Sequence, residues 1–313
     1  MKPTPARSPK EAIDLTFARY LVEAAGFSPG GLELLAGGMT SRAYGFESSG
    51  ERFVLRVNAH RGYERDRLAR ELLAGRVPVP ELLAAGNLDG KFWAVSRRVP
   101  GVMVGLLPSR EQADLVPQLV ETLRAIHQID VSATSGFGPL QEDDTGSYPT
   151  WARYLAGSTQ MENHLNVPRA MERATTSMRT VLSQLVTEAL PLFPAQSRRQ
   201  LLHRDYNLAN VLVHAGRVTG VVDWQGMGYG DPMYDAAETD FWVPELGFAS
   251  AYALAAGETA WQPRVRCYQL LLNARALAFF INTGQEPLMG DLSDKARKLL
   301  DTKSPEYFLG ARS

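Results

Sequence analysis

Residues 203–210 form the most informative stretch of the chain: His203-Arg204-Asp205-Tyr206-Asn207-Leu208-Ala209-Asn210. An acid stands two residues after a histidine, and an amide stands five residues after that acid. Because the chain has 5 His, 15 Asp and 8 Asn, chance predicts only about 0.006 occurrences of the spacing H-x-D-x-x-x-x-N. The residues that follow, VLVHAGRVTGVV at 211–222, predict a β-hairpin that turns near Ala215-Gly216. The spacing is therefore treated as a functional motif directly before a hairpin.

Phosphoryl transfer explains these residue types. The stretch matches the kinase catalytic-loop pattern H-R-D-x-x-x-x-N letter for letter. In that chemistry a carboxylate accepts or orients the proton of the attacking hydroxyl, and a neutral amide oxygen binds Mg²⁺ without adding charge. We therefore predict that Asp205 is the catalytic base and that Asn210 is a metal ligand. The alternative is a polar turn in which Asp205 only caps the hairpin.

A second acid follows the hairpin, in the stretch Val221-Val222-Asp223-Trp224. A carboxylate at the end of the second strand can share a metal ion with Asn210, where the first strand begins. Mg²⁺ prefers oxygen ligands and keeps several waters, so one carboxylate, one amide and the nucleotide phosphates suffice. We predict Asp223 as the main metal ligand, in the position of D-F-G in protein kinases. Without the catalytic loop, the same residue would be interpreted as part of a turn.

The first hundred residues predict an antiparallel sheet with one inserted helix. In the strand at residues 52–57, alternation places Arg56 on the face opposite the large apolar side chains. Arg56 is predicted to hold nucleotide phosphates, in the place of the strand lysine of V-A-I-K. Its predicted partner on the helix is Asp66, with Glu64 and Glu71 as rivals. A surface arginine on an edge strand is the alternative.

A glycine-containing turn precedes this strand, with the sequence Gly37-Gly38-Met39-Thr40-Ser41-Arg42. Backbone N–H groups and hydroxyls in such a turn can bind phosphates, and Ser41 and Arg42 are the candidate residues. The turn does not follow the pattern G-x-G-x-x-G.

The chain turns mainly helical beyond residue 100. Helical patterns cover roughly residues 109–128, 151–156, 169–190 and 264–282, and residues 132–150 are predicted to be a surface loop. The sequence thus predicts an α+β protein with two domains. Residues 1–97 would bind nucleotide, and residues 98–313 would carry the catalytic loop and the substrate pocket.

The acceptor is predicted to be a small cationic molecule. Few residues separate Asp223 from Gly230, whereas a protein kinase places a long activation segment there. Residues 203–262 hold 2 Lys/Arg and 8 Asp/Glu, a balance of −6 that favours a cation. Asp235, Glu238 and Asp240 are the candidate substrate ligands, and Trp242 could add a cation–π face. For each of these residues, a solvated helix face or a core position is the alternative.

Composition excludes several other classes of protein. The chain of 313 residues has 33 Lys plus Arg against 34 Asp plus Glu, so a nucleic-acid binder is not expected. Cys267 is the single cysteine, which fits a reducing compartment. No apolar stretch reaches the 18 or so residues of a membrane span, and no apolar signal-peptide core is present near the start. We expect a cytoplasmic monomer.

These motifs together resemble the aminoglycoside phosphotransferase family. The stretches that carry the resemblance are Gly37 to Arg42, Arg56, Pro78-Val79-Pro80, Ser96 to Gly101, His203 to Asn210, Asp223-Trp224 and Gly230-Asp231-Pro232. Four others resemble the hygromycin B phosphotransferases within it: Phe53 to Asn58, Thr134 to Pro139, Tyr148 to Trp151 and Phe241-Trp242.

The resemblance implies a protein-kinase-like bilobal fold. It also implies Mg²⁺-dependent transfer of the γ-phosphate of ATP, with GTP not excluded, to a hydroxyl of an antibiotic. It places Ser96 and Arg98 in the hinge that bonds adenine through its backbone, and Asp130 and Trp242 in the sugar pocket. Glu245 and Ala209 depart from the hygromycin pattern, so kinases for a macrolide, homoserine or choline stay open. A kinase-like binding module without activity is a further alternative.

Overall fold

The computed structural model describes residues 13–35, 41–161, 164–195, 198–285 and 288–301. Its helices are α1 (Leu15–Ala24), α2 (Glu64–Leu72), α3 (Ser109–His127), α4 (Trp151–Gly157), α5 (Val167–Arg173), α6 (Thr176–Ala189), α7 (Met233–Trp242), α8 (Phe248–Ala256), α9 (Trp261–Thr283) and α10 (Met289–Asp301). Its strands are β1 (Leu32–Leu34), β2 (Arg42–Ser48), β3 (Glu51–Asn58), β4 (Leu82–Leu88), β5 (Lys91–Arg97), β6 (Val102–Met103), β7 (Phe137–Leu140), β8 (Gly146–Tyr148), β9 (Gln200–Leu202), β10 (Val211–His214), β11 (Arg217–Val221) and β12 (Gly228–Gly230). Within these described ranges, no helix is both long and apolar enough to cross a membrane.

Strands β1 to β5 form one antiparallel sheet in the order β1-β2-β3-β5-β4, with β3 in the centre. Its side chains Phe53, Leu55 and Val57 are buried in a core cluster that also contains residues of α1. Since successive side chains of a strand point to opposite faces, Arg56 lies on the face away from this cluster. Local alternation in the sequence thus predicts the side of the sheet on which Arg56 lies.

The predicted hairpin is formed by β10 and β11. Its turn residues Ala215 and Gly216 have φ angles of 48° and 72°, the left-handed pair that a two-residue turn needs to match the twist of the strands. Strand β10 also pairs with β6, and the N–H of Val221 donates to the carbonyl of Pro78 at 2.8 Å. These bonds attach the hairpin to the first part of the chain.

The chain therefore divides into two compact units that do not follow chain order. The first unit holds the described residues up to Leu107 together with residues 208–225, and the second holds residues 108–207 and those from 226 onward. The predicted boundary after Arg97 differs from this division, because no local pattern predicts that the hairpin pairs with β6. The domain boundary itself stays a prediction.

The second unit is mainly helical. Helix α9 is buried over most of its length and packs against α5, α6, α7 and α10. Strands β8, β7, β12 and β9 form a small sheet in that order. This sheet corrects the prediction of a plain loop over residues 132–150, which contain β7 and β8. Strand β7 forms because it pairs with the distant β12, which a local pattern does not reveal.

The helix predicted over residues 169–190 is also corrected. It is two helices, α5 and α6, separated at Ala174, whose ψ of 154° is extended. Thr175 then starts α6, since its side chain accepts a hydrogen bond from the N–H of Met178. A threonine that caps in this way favours the beginning of a new helix over continuation of the old one.

Candidate active site

The guanidinium of Arg56 and the carboxylate of Asp66 form an ion pair in the first unit. Both side chains are largely buried, and the guanidinium also lies 4.9 Å above the ring of Tyr63. Burial alone would lower the pKa of Arg56, but the carboxylates of Asp66 and Asp223, with Tyr63, outweigh it and raise that pKa. The guanidinium therefore stays a fixed positive charge beside two acids. The pairing is the one expected from the sequence; its role toward a nucleotide stays a prediction.

Helix α2 decides which acid pairs with Arg56. Tyr63, Asp66, Ala69 and Leu73 recur at helical spacing and are all buried, so Asp66 lies on the inner stripe of the helix. Glu64 and Glu71, the rivals for this pairing, are exposed.

The turn after β11 is held by two side chains of the same unit. Asp66 accepts a hydrogen bond from the N–H of Trp224 at 3.3 Å, and Asn58 donates to the side chain of Gln225 at 3.1 Å. Asp223 has a φ of 69°, a left-handed conformation that is uncommon outside glycine. Such a conformation persists only where neighbouring groups impose it, and these two hydrogen bonds fix the residues that follow Asp223.

The two predicted metal ligands meet at the open end of the hairpin. Val211 pairs with Val221, and the carbonyl of Asn210 accepts a hydrogen bond from the N–H of Val222 at 2.9 Å. Asn210 thus directly precedes β10, and Asp223 comes two residues after the end of β11, at the paired ends of the two strands. Their amide and carboxylate oxygens are donors that suit Mg²⁺. Among the described residues, no group of three or more His, Cys, Asp and Glu side chains could hold a metal ion.

A cavity of about 260 Å³ lies within the first unit. Its walls are mostly apolar and come from the sheet, the hairpin and the segment after β5: Leu35, Ala43, Val54, Val79, Pro80, Val99, Val102, Met103, Leu106, Leu212 and Val222. Arg56 and Asp66 lie at the same cavity, as do Ser96, Arg97 and Arg98. Four of the predicted nucleotide-binding residues therefore line one space that combines apolar walls with a charged group.

The hinge prediction needs a correction in detail. The N–H of Arg97 donates to the carbonyl of Glu81 at 2.9 Å, and the N–H of Arg98 donates to the carbonyl of Arg52 at 2.8 Å. Both donors are therefore used within the sheet, and the guanidinium of Arg98 forms an ion pair with Glu33 at 2.6 Å.

The phosphate-binding turn lies mostly outside the described residues. Residues 36–40 are not described, so the prediction for Gly37 to Thr40 has no structural counterpart here. Ser41 directly precedes β2, and Arg42 is the first residue of that strand, opposite Val57.

Asp235 of α7 fixes the start of the predicted catalytic loop, within the second unit. The carboxylate of Asp235 accepts hydrogen bonds from the N–H groups of His203 at 2.8 Å and Arg204 at 2.7 Å. It also forms a hydrogen bond with the ring of His127, at 3.0 Å. Asp235 is completely buried. This geometry corrects its predicted role: the residue holds the catalytic loop and is closed to a ligand.

Asp205 follows directly in this loop. Its carboxylate accepts a hydrogen bond from the side-chain amide of Asn207 at 2.7 Å, and its carbonyl accepts one from the N–H of Asn207 at 3.0 Å. A carboxylate held in one orientation is suited to receive a proton from a hydroxyl that approaches its second oxygen.

The remaining predicted substrate residues differ in their surroundings. Asp240 is 6% exposed and accepts hydrogen bonds from Ala249 and Gln269, so it is occupied within the fold rather than offered to a ligand. Burial raises its pKa to about 6. Asp130 is exposed, and the N–H of Ser132 lowers its pKa by a hydrogen bond of 2.9 Å.

Glu238 and Trp242 form a pair on α7. The indole of Trp242 donates to the carboxylate of Glu238 at 3.0 Å, and the ammonium of Lys295 lies 5.6 Å from the centre of the indole ring. Burial raises the pKa of Glu238 to about 7, although Arg275 opposes this effect.

The acidic balance of residues 203–262 does not produce an acidic surface. Arg264, two residues beyond that range, forms ion pairs with Asp231 at 2.8 Å and with Glu258 at 2.6 Å. Asp231 also accepts a hydrogen bond from the N–H of Met233, the first residue of α7, at 3.0 Å.

Comparisons with known proteins show the family of this chain. The model of the phosphotransferase enzyme family matches residues 31–267, which is more than half of the chain. This chain belongs to the phosphotransferase enzyme family. Hygromycin-B 4-O-kinase of Escherichia coli is 31% identical over 243 residues, covering 75% of this phosphotransferase and 70% of that protein.

Solved structures show the same fold. A thermostable mutant of aminoglycoside phosphotransferase APH(4)-Ia, in a ternary complex with AMP-PNP and hygromycin B, is 29% identical with a TM-score of 0.76. The match covers 94% of this phosphotransferase and 99% of that chain. A putative aminoglycoside phosphotransferase from Ralstonia eutropha has a TM-score of 0.65 at 17% identity, covering 96% and 99% of the two chains. The predicted family, kinase-like fold and enzyme class are therefore confirmed.

Two positions were missed by sequence reasoning. His127 ends α3 and is 2% exposed, with one ring nitrogen bonded to Asp235 and the other to Tyr252 at 2.6 Å. A histidine in the last helical turn is ordinarily interpreted through the helix dipole, so its sequence position gave no sign of this contact. Tyr154 of α4, which bonds Arg204, was also not singled out.

Proposed function

We propose that this phosphotransferase transfers the γ-phosphate of ATP to a hydroxyl of an aminoglycoside, hygromycin B foremost, and so confers resistance. We place the reaction in the cytoplasm and assign it to the monomer. The observation that carries the proposal is the cavity of the first unit, where apolar walls meet the group formed by Arg56, Asp66 and Asp223. A nucleoside triphosphate has the same two halves, a flat base with apolar faces and a highly charged phosphate chain.

Within this proposal the apolar walls hold the base, and Arg56 neutralises phosphate charge while Asp66 keeps its guanidinium in place. The main chain beyond Ser96 bonds the edge of the base. The N–H groups of Arg97 and Arg98 are used in the sheet, so this contact falls to their neighbour Val99, which lines the same cavity. Ser96 and Val54 face each other across paired strands at this cavity.

Mg²⁺ would be held by Asn210 and Asp223, whose oxygen donors fit the ion. When bound, it neutralises charge on the phosphates during transfer. Asp223 also lies near enough to Arg56 to raise the pKa of that guanidinium. The same carboxylate would therefore interact with both Mg²⁺ and Arg56.

Asp205 acts as the catalytic base. Asn207 orients the carboxylate of Asp205. Asp235 binds the backbone N–H groups of His203 and Arg204, the two residues directly before Asp205. Asp205 therefore accepts the proton of the acceptor hydroxyl from a fixed position as the oxygen attacks phosphorus.

The acceptor assignment rests on the relatives and on three side chains. They are Asp130, which is exposed, Trp242, which is partly exposed, and Glu238, which is buried and accepts a hydrogen bond from the indole of Trp242. Because burial raises the pKa of Glu238 to about 7, its charge toward an ammonium group of the acceptor depends on pH near neutrality. A polycationic aminocyclitol would gain more from such acids than an apolar macrolide would.

The test is a nucleotide-consumption assay with the purified chain, Mg²⁺ and either ATP or GTP. The acceptors are hygromycin B, other aminoglycosides, a macrolide, homoserine and choline. We expect turnover that depends on hygromycin B and is lost in Asp205→Asn. Turnover only with a macrolide, homoserine or choline would overturn the acceptor assignment, and no turnover with any acceptor would overturn the enzymatic one. Comparing the two nucleotides settles which base the cavity accepts.

A further inference from the structure

Arg204 stands next to Asp205 in an unusual backbone conformation. Its φ of 65° lies in the left-handed region, which costs energy for a residue with a Cβ atom. The two oxygens of Asp235 accept hydrogen bonds from the N–H groups of His203 and Arg204, and so hold the two peptides that lead into this conformation. As a result the side chain of Arg204 extends from the predicted catalytic loop in one fixed direction.

The guanidinium of Arg204 joins three elements of the second unit. One terminal nitrogen donates to the carbonyl of Gly226 at 2.6 Å, and the other donates to the hydroxyl of Tyr154 at 2.5 Å. Its central carbon also lies 4.8 Å from the centre of the Tyr154 ring. Space for the side chain exists because Gly228 has no Cβ, which would stand 3.0 Å from Cδ of Arg204.

Tyr154 is a rigid acceptor for this contact. Its ring is 1% exposed and stacks on Trp151 at a centroid distance of 4.7 Å. Its hydroxyl also forms a hydrogen bond with Tyr234, whose own oxygen accepts from Arg275 at 2.7 Å. Burial would raise the pKa of Tyr154, but the charges of Arg204 and Arg275 outweigh burial and lower it. The carboxylate of Glu238 acts electrostatically on both Tyr234 and Arg275 and contributes to the raised pKa of each.

We infer that Arg204 is a positioning residue for Asp205, and that Tyr154 and the carbonyl of Gly226 are the anchors that hold it. The inference rests on the proposed role of Asp205 as the catalytic base. A planar guanidinium donates to two acceptors on separate elements at fixed angles, so it fixes the rotation of the loop as well as its position. The two terminal nitrogens of Arg204 are paired inside the fold with a carbonyl and a phenol, so the loop is held in place without a phosphorylated segment.

Two conservative variants test this inference. Tyr154→Phe keeps the ring and removes only the acceptor oxygen, whereas Arg204→Lys keeps the charge and removes the planar fork. We expect each to lower kcat at least about tenfold, the size expected for one hydrogen bond to a charged group, and to leave KM for the nucleotide unchanged. The matched control is Tyr148→Phe, in a ring 5.7 Å from that of Tyr154 whose hydroxyl does not contact Arg204.

A spectroscopic titration checks the contact independently of activity. The ultraviolet tyrosinate signal of the folded wild type should show one tyrosine that ionises below the ordinary pKa of about 10. This step should be absent in Tyr154→Phe, present in Tyr148→Phe and shifted upward in Arg204→Lys, because the neighbouring charge is displaced.

The outcomes separate the inference from the proposed function. An active wild type whose Tyr154→Phe and Tyr148→Phe variants have equal kcat would overturn the positioning role. A tyrosinate titration that Tyr154→Phe leaves unchanged would overturn the contact itself. A wild type that shows the early tyrosinate step but phosphorylates no acceptor would refute the proposed function while leaving the Arg204–Tyr154 contact intact.

Discussion

Glu238 is a buried acid whose ionisation should make the stability of this phosphotransferase depend on pH. Its side chain lies on α7, is 7% exposed and accepts a hydrogen bond from Trp242. Burial raises its pKa from 4.5 to about 7 in the folded state. The folded protein therefore binds more protons than the unfolded chain between these two values, and its free energy of unfolding falls as the pH rises through them.

The magnitude follows from the size of the shift. At about 1.4 kcal/mol for each pKa unit, the whole shift corresponds to a loss of about 3 kcal/mol once Glu238 is ionised in both states. Most of this loss takes place between about pH 5 and about pH 8. Replacing Glu238 with glutamine removes the titration and keeps an oxygen that accepts from Trp242.

The assay is equilibrium unfolding by urea at both pH values. We expect Glu238→Gln to exceed the wild type by about 3 kcal/mol at the higher pH and by less than about 1 kcal/mol at the lower one. Glu172→Gln, a change at an exposed glutamate of α5, is the control. Its free energy of unfolding should equal that of the wild type at both pH values. If the difference between Glu238→Gln and the wild type is the same at both pH values, the reasoning from burial is refuted.

Three further changes test the proposed roles and the packing. Asp205→Asn should lower kcat by orders of magnitude with nearly unchanged nucleotide affinity, since it removes a group that acts in the transition state; an unchanged kcat in steady-state kinetics would refute the base assignment. Asp223→Asn should abolish the Mg²⁺ dependence of nucleotide binding measured by calorimetry, and a retained dependence would remove Asp223 from the metal site. Gly230→Ala should lower the free energy of unfolding by about 3 kcal/mol, because a Cβ there would lie 2.2 Å from the buried ring of Trp151. An unfolding curve equal to that of the wild type would show that the ring can move aside.

Local patterns predicted the parts of the fold that are set by neighbours in the chain. The hairpin turn at Ala215-Gly216 follows from turn chemistry, and the outward face of Arg56 follows from strand alternation. Helical spacing in the sequence also supports the choice of Asp66 over its rivals. Asp66 lies three residues after Tyr63 and seven before Leu73, so it shares their buried stripe.

Features that depend on distant pairing were not predictable in the same way. Strand β7 is ordered by pairing with β12, some 90 residues later in the chain, and its own composition resembles a loop. The break between α5 and α6 was missed although Thr175 carried a usable signal, since a threonine favours the N-cap position. The hairpin joins the first unit through β6, a strand of two residues that no periodicity can reveal.

The acids that follow the catalytic loop show why charge counting misjudged the candidate site. Asp235 and Asp240 were candidate substrate ligands, and Asp231 contributes to the same negative balance, but all three are buried and accept hydrogen bonds from the chain. A buried carboxylate is tolerated only where hydrogen-bond donors satisfy its oxygens. The loop at Arg204, with its left-handed backbone, has N–H groups that need an acceptor. Asp235 meets that need 31 residues later in sequence. The local negative charge is therefore a consequence of building the catalytic loop, and evidence for a cationic substrate has to come from Glu238, Trp242 and Asp130 instead.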